Sequence, residues 1–174
     1  MAHTNESIVL NYIASPIGDL LAGISHECVC LLEFADQTRA QAQTQRLEKL
    51  LRTQSVMGKH ALFKHLTKQL KDYFNGDRQL FDIPLFTPGS PFQQTSWQAL
   101  QTIPYGTTRS YQQQAQTMGR PTATRAIAKA NADNRIAILI PCHRLIAKDG
   151  HLTGYGGGIW RKQYLFDLEK QHAG

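Results

Sequence analysis

Apolar residues fall along this chain in two rhythms. Near the start they come as short runs, Ile8 to Ala14, Asp19 to Ile24 and Val29 to Phe34, broken at Ser15-Pro16-Ile17-Gly18 and at Ser25-His26-Glu27. Runs of this length, rich in Ile, Val, Leu and Tyr and joined by short turns, predict a small antiparallel sheet. Thr38 to Val56 is polar with sparse apolar positions, the pattern of a surface helix. Leu62, Leu66, Leu70 and Phe74 then recur at four-residue steps and stop before Gly76, which predicts a firmer one. Pro84, Pro88, Gly89 and Pro91 crowd the stretch from Asp77 to Pro91, so a domain boundary is expected there, giving domains 1–88 and 89–174.

Beyond the boundary the rhythm is helical. Ser90-Pro91 is a start signal: a hydroxyl caps the first free N–H groups, and proline is pre-set for the first turn. Phe92, Ser96, Ala99 and Ile103 share one face, with Trp97 and Leu100 beside it, and Pro104-Tyr105-Gly106 ends the helix. A second helix, from about Thr108 to Met118, places Tyr111, Ala115 and Met118 on one stripe and stops at Gly119. Arg120-Pro121 opens a third, running through Arg125 to Ala132 with mostly small side chains. Two helices joined at a tight glycine turn form a helix-turn-helix pattern, which a plain helical hairpin shares. Ala123, Ala126, Ala128 and Ala130 would let the third helix approach a groove closely, with Arg125 projecting from among them.

Ile136 to Ile140 is a continuous apolar run that ends at Pro141 and predicts a strand covered on both faces. Cys142, His143 and Arg144 follow. A cysteine flanked by His and Arg at the floor of a pocket has its thiolate favoured by positive charge, the setting of a nucleophile. Successive side chains of an extended strand point to opposite faces, so Cys142 and His143 can cooperate only through a backbone turn or a bridging water, with a third group orienting the imidazole. Phosphatase chemistry fits poorly, because Lys148 stands where such a loop sets its arginine. Cys28 and Cys30, near His26, read as half-buried strand residues and not as metal ligands. Gly154-Tyr155-Gly156-Gly157-Gly158 admits close approach of backbone to a ligand. The last helix presents Trp160, Tyr164 and Leu168 as its apolar face, with Leu165 nearby, and Glu169 as a solvated carboxylate at its end.

Composition narrows the partners. The 174 residues carry 19 Lys and Arg against 13 Asp and Glu, a net charge of +6, with 18% charged and 41% hydrophobic residues. That balance describes a packed domain with a basic surface, suited to polyanions such as nucleic acid. The length excludes a disulfide mini-scaffold, and the odd count of three cysteines points to a reducing compartment. The first residues lack a basic segment followed by an apolar one, so no secretory signal is expected, and no apolar run approaches the roughly 20 residues of a membrane span.

The string Ile140-Pro141-Cys142-His143-Arg144-Leu145-Ile146, with Gly154-Tyr155-x-Gly157-Gly158-x-x-Arg161-Lys162, closely resembles the O6-alkylguanine-DNA alkyltransferases, also called methylated-DNA–protein-cysteine methyltransferases. The resemblance extends through Ile103-Pro104-x-Gly106-x-Thr108-x-Ser110-Tyr111 and Gly119-Arg120-Pro121-x-Ala123-x-Arg125-Ala126, and more loosely through Ser15-Pro16-Ile17-Gly18 and Tyr73-Phe74-x-Gly76. It implies an α/β fold: a small N-terminal sheet with helices, then a helical lobe with a helix-turn-helix of the winged kind. It implies that Cys142 displaces the alkyl group from O6-alkylguanine, with O4-alkylthymine a further candidate, and keeps it as a thioether, once per molecule and without cofactor or metal. His143 would activate Cys142 through a water, held by Glu169, and Asn134 would buttress the turn before the nucleophile. Tyr111 would bond the base and stabilise the departing guanine, in a pocket shared by Leu145, Tyr155, Gly156 and Gly157. Arg125 would replace the flipped nucleotide in the duplex, with Gln112, Ala123 and Ala126 at the groove. The resemblance further implies a monomer acting on double-stranded DNA, without membrane association, in the cytoplasm or, in a eukaryote, the nucleus.

Four positions depart from the family pattern. Gln114 stands for a usual Leu, Ser96 for an aliphatic residue, Arg135 for a common Pro, and Gly156 for the Ser of some members. Two rivals remain open. A damage-recognition protein similar to the alkyltransferase-like proteins would bind lesions without accepting the alkyl group, although those lack the nucleophile. A Cys-His hydrolase would turn over repeatedly.

Overall fold

Strands β1 (Ile8–Ile13), β2 (Leu20–Ser25) and β3 (Cys28–Phe34) pair antiparallel, as their short apolar runs predict. The β2–β3 hairpin turns through His26 and Glu27, both at positive φ (54° and 58°), a two-residue loop whose twist matches the strands it joins. The computed structural model describes residues 6–174, which divide into two compact units parting between Pro88 and Gly89.

The helix expected over Thr38 to Val56 is shorter. Helix α1 (Thr38–Leu51) ends where Arg52 takes the left-handed conformation (φ 51°) and its N–H bonds the Glu48 carbonyl. The chain then returns as strand β4 (Ser55–Met57), which runs parallel to β1. The sheet is therefore mixed, in the order β3-β2-β1-β4, and not purely antiparallel. The physical reason is the unpaired edge of β1, whose backbone groups need a partner. Helix α2 (Ala61–Phe74) buries Leu66, Leu70 and Phe74 as expected, with Phe63 and Tyr73 on the same face in place of Leu62.

In the second unit, α3 (Pro91–Leu100) opens with a capping box: Ser90 Oγ accepts the Gln93 N–H (3.1 Å) and Gln93 Oε1 accepts the Ser90 N–H (3.0 Å). Its buried face is Ser96, Trp97 and Leu100, and Ile103 lies beyond its end. A second capping box, Ser110 with Gln113, starts α4 (Tyr111–Thr117) later than Thr108 because Arg109 and Ser110 are taken by strand β5 (Arg109–Ser110). Gly119 (φ 67°) reverses the chain, and Pro121 lies in the following turn, so α5 (Thr124–Ala132) begins past the expected Arg120-Pro121. Strand β6 (Leu145–Ile146) pairs parallel with β5, and α6 (Ile159–His172) ends the chain. Among the described residues, no helix is long and apolar enough to cross a membrane.

Candidate active site

Ile136 to Ile140 is buried, as its apolar character demands, but it is a succession of tight turns with Ile138 at φ 72°, and not the expected strand. Asn134 stands in for a neighbouring strand. Its Nδ2 donates to the carbonyls of Ile140 (2.9 Å) and Ile136 (3.4 Å), and its Oδ1 accepts the Ile136 N–H (3.1 Å). Buried backbone groups must be paired by something, and one amide side chain pairs three of them.

The compact segment delivers the chain into a 3-10 turn over Cys142–Arg144. This turn removes the strand geometry that would have set Cys142 and His143 on opposite faces. Cys142 is 7% exposed and forms no disulfide. His143, 1% exposed, directs Nε2 at Glu169 Oε1 (2.8 Å). An ionised carboxylate only accepts, so the imidazole donates from Nε2 and its lone pair is on Nδ1. That Nδ1 is buried and bonds no protein atom among the described residues.

Glu169 is a correction to the expected solvated carboxylate, because it is 2% exposed and accepts from three sides. Besides His143, it takes Arg144 Nε on Oε2 (2.9 Å), Arg144 Nη2 on Oε1 (2.9 Å) and the Gly106 N–H on Oε2 (3.2 Å). Gly106 must be glycine here: its φ is 74°, and a Cβ would lie 2.4 Å from that of Ala173. Burial alone would raise the Glu169 carboxyl, but His143 and Arg144, by charge and hydrogen bond, hold it far below the usual carboxylate range. Burial pushes the His143 imidazole below its ordinary value; Glu169 pulls the other way, and Arg144 and Lys162 reinforce burial.

Helix α6 is the largest surprise. Its buried face is Arg161, Lys162, Leu165 and Glu169, whereas Trp160 is 58% exposed and Tyr164 is exposed as well. Lys162 is fully buried and donates to the Thr153 carbonyl (2.7 Å). Burial pulls its amine down to about 8, and the charge of Cys142 pushes it back up. Periodicity favoured the aromatic stripe and missed these groups. The spacing of Arg161 and Lys162 to Leu165 and Glu169 is equally helical, and only the need of buried charges for one another distinguishes it.

Other expected site residues are placed as follows. Pairing of β6 with β5 sets Leu145 opposite Arg109 and Ile146 opposite Ser110, so the turn carrying Cys142 leads to the start of α4, where Tyr111 is half-buried and Gln112 exposed. In the glycine loop Gly157 is buried, its carbonyl accepting Arg161 Nη1 (3.1 Å), while Tyr155 is half-buried and Gly156 exposed. Ala123 caps α5 and is half-buried; Arg125 and Ala126, in its first turn, are exposed.

Two departures meet in space. Gln114, fully buried, donates through Nε2 to the Ser96 carbonyl (3.3 Å) and accepts Arg109 Nη1 on Oε1 (2.7 Å). The contact is to the backbone of Ser96, whose own hydroxyl is buried and bonds no atom among the described residues. Arg135, a third departure, sets its guanidinium 5.3 Å from the Trp97 ring centroid, where cation and π face attract.

Comparison with known proteins agrees across the chain. Residues 91–171 match the DNA binding domain of 6-O-methylguanine DNA methyltransferase, and residues 8–87 match its ribonuclease-like domain. The methylated-DNA–protein-cysteine methyltransferase of Mycolicibacterium paratuberculosis is 44% identical over 161 residues, 92% of either chain. A crystal structure of Mycobacterium tuberculosis O6-methylguanine methyltransferase aligns with a TM-score of 0.81 at 41% identity, covering 96% of this chain and 95% of that one. A structure of Mycobacterium tuberculosis OGT in complex with DNA aligns with a TM-score of 0.82 at 42% identity, covering 94% of each chain.

Proposed function

The chain belongs to the methylated-DNA–protein-cysteine methyltransferases, and on that premise we infer that it repairs O6-alkylguanine in double-stranded DNA by moving the alkyl group onto its own Cys142. The observation that supports the residue assignment is the Cys142–Arg144 turn, in which a cysteine outside any disulfide is followed directly by an imidazole held by a buried carboxylate.

In this reading His143 Nδ1 accepts the thiol proton through a bridging water, oriented by Glu169 from the far side of the ring. The thiolate sulfur attacks the alkyl carbon, the carbon–O6 bond breaks, and its electron pair leaves on guanine, which then takes a proton. Tyr111 bonds the base and stabilises the departing negative charge. Leu145, Tyr155, Gly156 and Gly157 wall the pocket, and exposed Gly156 leaves room where a serine would stand. A thioether is not readily hydrolysed, so each molecule reacts once. The base must leave the stack to be reached, and Arg125, exposed in the first turn of α5, fills its place while Gln112, Ala123 and Ala126 face the groove. O4-alkylthymine is the second substrate of this reading. The protein works as a monomer where thiols stay reduced, in the cytoplasm or a eukaryotic nucleus.

Intact mass after incubation with a methylated duplex tests the assignment. The native protein is expected to gain one methyl group and Cys142→Ser none. The same gain in the variant sinks Cys142 as acceptor, and binding without gain in the native protein favours lesion recognition alone. Arg125→Ala is expected to slow repair of the duplex by about tenfold or more while leaving reaction with free O6-benzylguanine nearly unchanged, because only the duplex demands extrusion. Equal losses on both substrates remove Arg125 from this role.

A further inference from the structure

Arg144 adjoins the reacting groups yet has no part in the steps above. Its guanidinium is nonetheless fully committed. Nε and Nη2 make the two-pronged pair with Glu169, both at 2.9 Å, Nη1 donates to the Ile103 carbonyl (2.7 Å), and the Tyr105 ring centroid lies 5.7 Å from its central carbon. Glu169 Oε1 is shared between Arg144 Nη2 and His143 Nε2.

That sharing matters for the charge of the ring. A buried carboxylate facing an imidazole alone stabilises the imidazolium. An imidazolium has no lone pair and accepts nothing from a thiol. A carboxylate neutralised by a planar, permanently charged guanidinium still accepts the imidazole N–H, but it exerts far less pull on a second proton. The charged groups that act on His143 are Glu169 and Lys162 from α6 and Arg144 from its own turn; Cys142 acts on Lys162, and Tyr105, from the segment after α3, lays its ring against Arg144. Glu169 favours the cation, whereas Lys162 and Arg144 oppose it.

We propose that Arg144 is a positioning residue for the transfer reaction: its two-pronged pair with Glu169 leaves that carboxylate free to aim His143 while keeping the ring neutral and able to accept the thiol proton. Lysine cannot do both tasks, since its ammonium is a point charge without the fork. The inference rests on the reading that His143 receives the proton of Cys142.

The test follows the His143 ring of the native protein by NMR across pH, its signal assigned with His143→Gln, beside the rate of benzyl transfer from free O6-benzylguanine. The native ring is expected to stay neutral to a pH below the ordinary histidine value, and Arg144→Gln to raise its midpoint by about one unit or more. In the rate, Arg144→Gln is expected to lose about tenfold more at about pH 6 than at about pH 8, whereas Arg144→Lys, which keeps the charge, loses rate evenly without moving the acid limb. A native ring that titrates at or above the ordinary value overturns the inference, as does a loss in Arg144→Gln that is equal at every pH. If Arg144→Gln does not fold, the native titration and Arg144→Lys decide. A native protein that takes no benzyl group at any pH overturns the alkyl-transfer reading instead, while the ring titration still judges the charge assignment by itself.

Discussion

Asn134 shows how much one side chain can carry. It pairs the N–H of Ile136 and the carbonyls of Ile136 and Ile140, all buried, in a segment with neither helix nor sheet to do so. Removing it takes the acceptor from the Ile136 N–H, while the carbonyls of Ile136 and Ile140 keep the N–H groups of Ile140 (3.0 Å) and Cys142 (2.8 Å), so Asn134→Ala is expected to destabilise the protein by about 1–3 kcal/mol. A urea titration reads this as a lower midpoint with little change in slope. A loss as small as that of an ordinary surface substitution would show that the segment holds its turns without Asn134. The same variant is expected to slow benzyl transfer, because the turn carrying Cys142 begins at the Ile140 carbonyl, which also accepts the Cys142 N–H (2.8 Å).

At the scale of elements, α3 and α4 meet at Gln114 instead of at an apolar pair. Arg109, just before α4, donates through Nη1 to Gln114 Oε1, the Ala99 carbonyl (3.2 Å) and Thr102 Oγ1 (3.2 Å), tying the start of α4 to the end of α3. Gln114→Leu restores the residue usual in the family but leaves the Ser96 carbonyl without its side-chain donor and Arg109 with one acceptor fewer. It is expected to cost about 1–3 kcal/mol in this background, read as a shift in thermal midpoint, and an unchanged or raised midpoint would mean that apolar packing outweighs the polar contact here. Helix α6 teaches a related lesson. Its apolar stripe, Trp160 and Tyr164, stays in water, and its charged stripe is buried because Glu169 finds Arg144 and His143, and Lys162 finds the Thr153 carbonyl.

For the whole molecule, the two units respond oppositely to pH. In the first, Glu33 is buried and its carboxyl is raised from 4.5 to about 7, burial outweighing its pair with Arg39. The folded unit thus keeps a proton that the unfolded chain releases, so this contribution is full below about 4.5 and is lost as pH rises through about 7. In the second unit His143 and Glu169 are both held below their ordinary values, so the unfolded chain takes up protons first and stability is lost as pH falls below 6.5 and further below 4.5. Between about pH 5 and 7 the first unit is expected to lose on the order of 2 kcal/mol while the second gains. Hydrogen exchange of core amides at the two pH values, corrected for intrinsic rates, measures this, and Glu33→Gln should flatten the trend in the first unit alone. Parallel trends in both units would refute the assignment. The net charge of +6 acts over longer range, and it predicts DNA affinity that falls steeply with salt.

Local rules in the sequence were enough for the first three strands, the helix start at Ser90-Pro91, the glycine turn at Gly119, and the motif that marks Cys142, since each depends on neighbours a few residues apart. They also located the buried run Ile136 to Ile140 but mistook its form, because apolar character reports burial and is silent on what pairs the backbone. Strand β4, the buried charges of α6 and the clamp of Arg144 on Glu169 came only with tertiary structure. Each is settled by a partner distant in the chain: the edge of β1 for Ser55 to Met57, and a carboxylate 25 residues away for Arg144. A charge is buried only where a counter-charge or a hydrogen-bond acceptor is delivered to it, and delivery is a property of the fold.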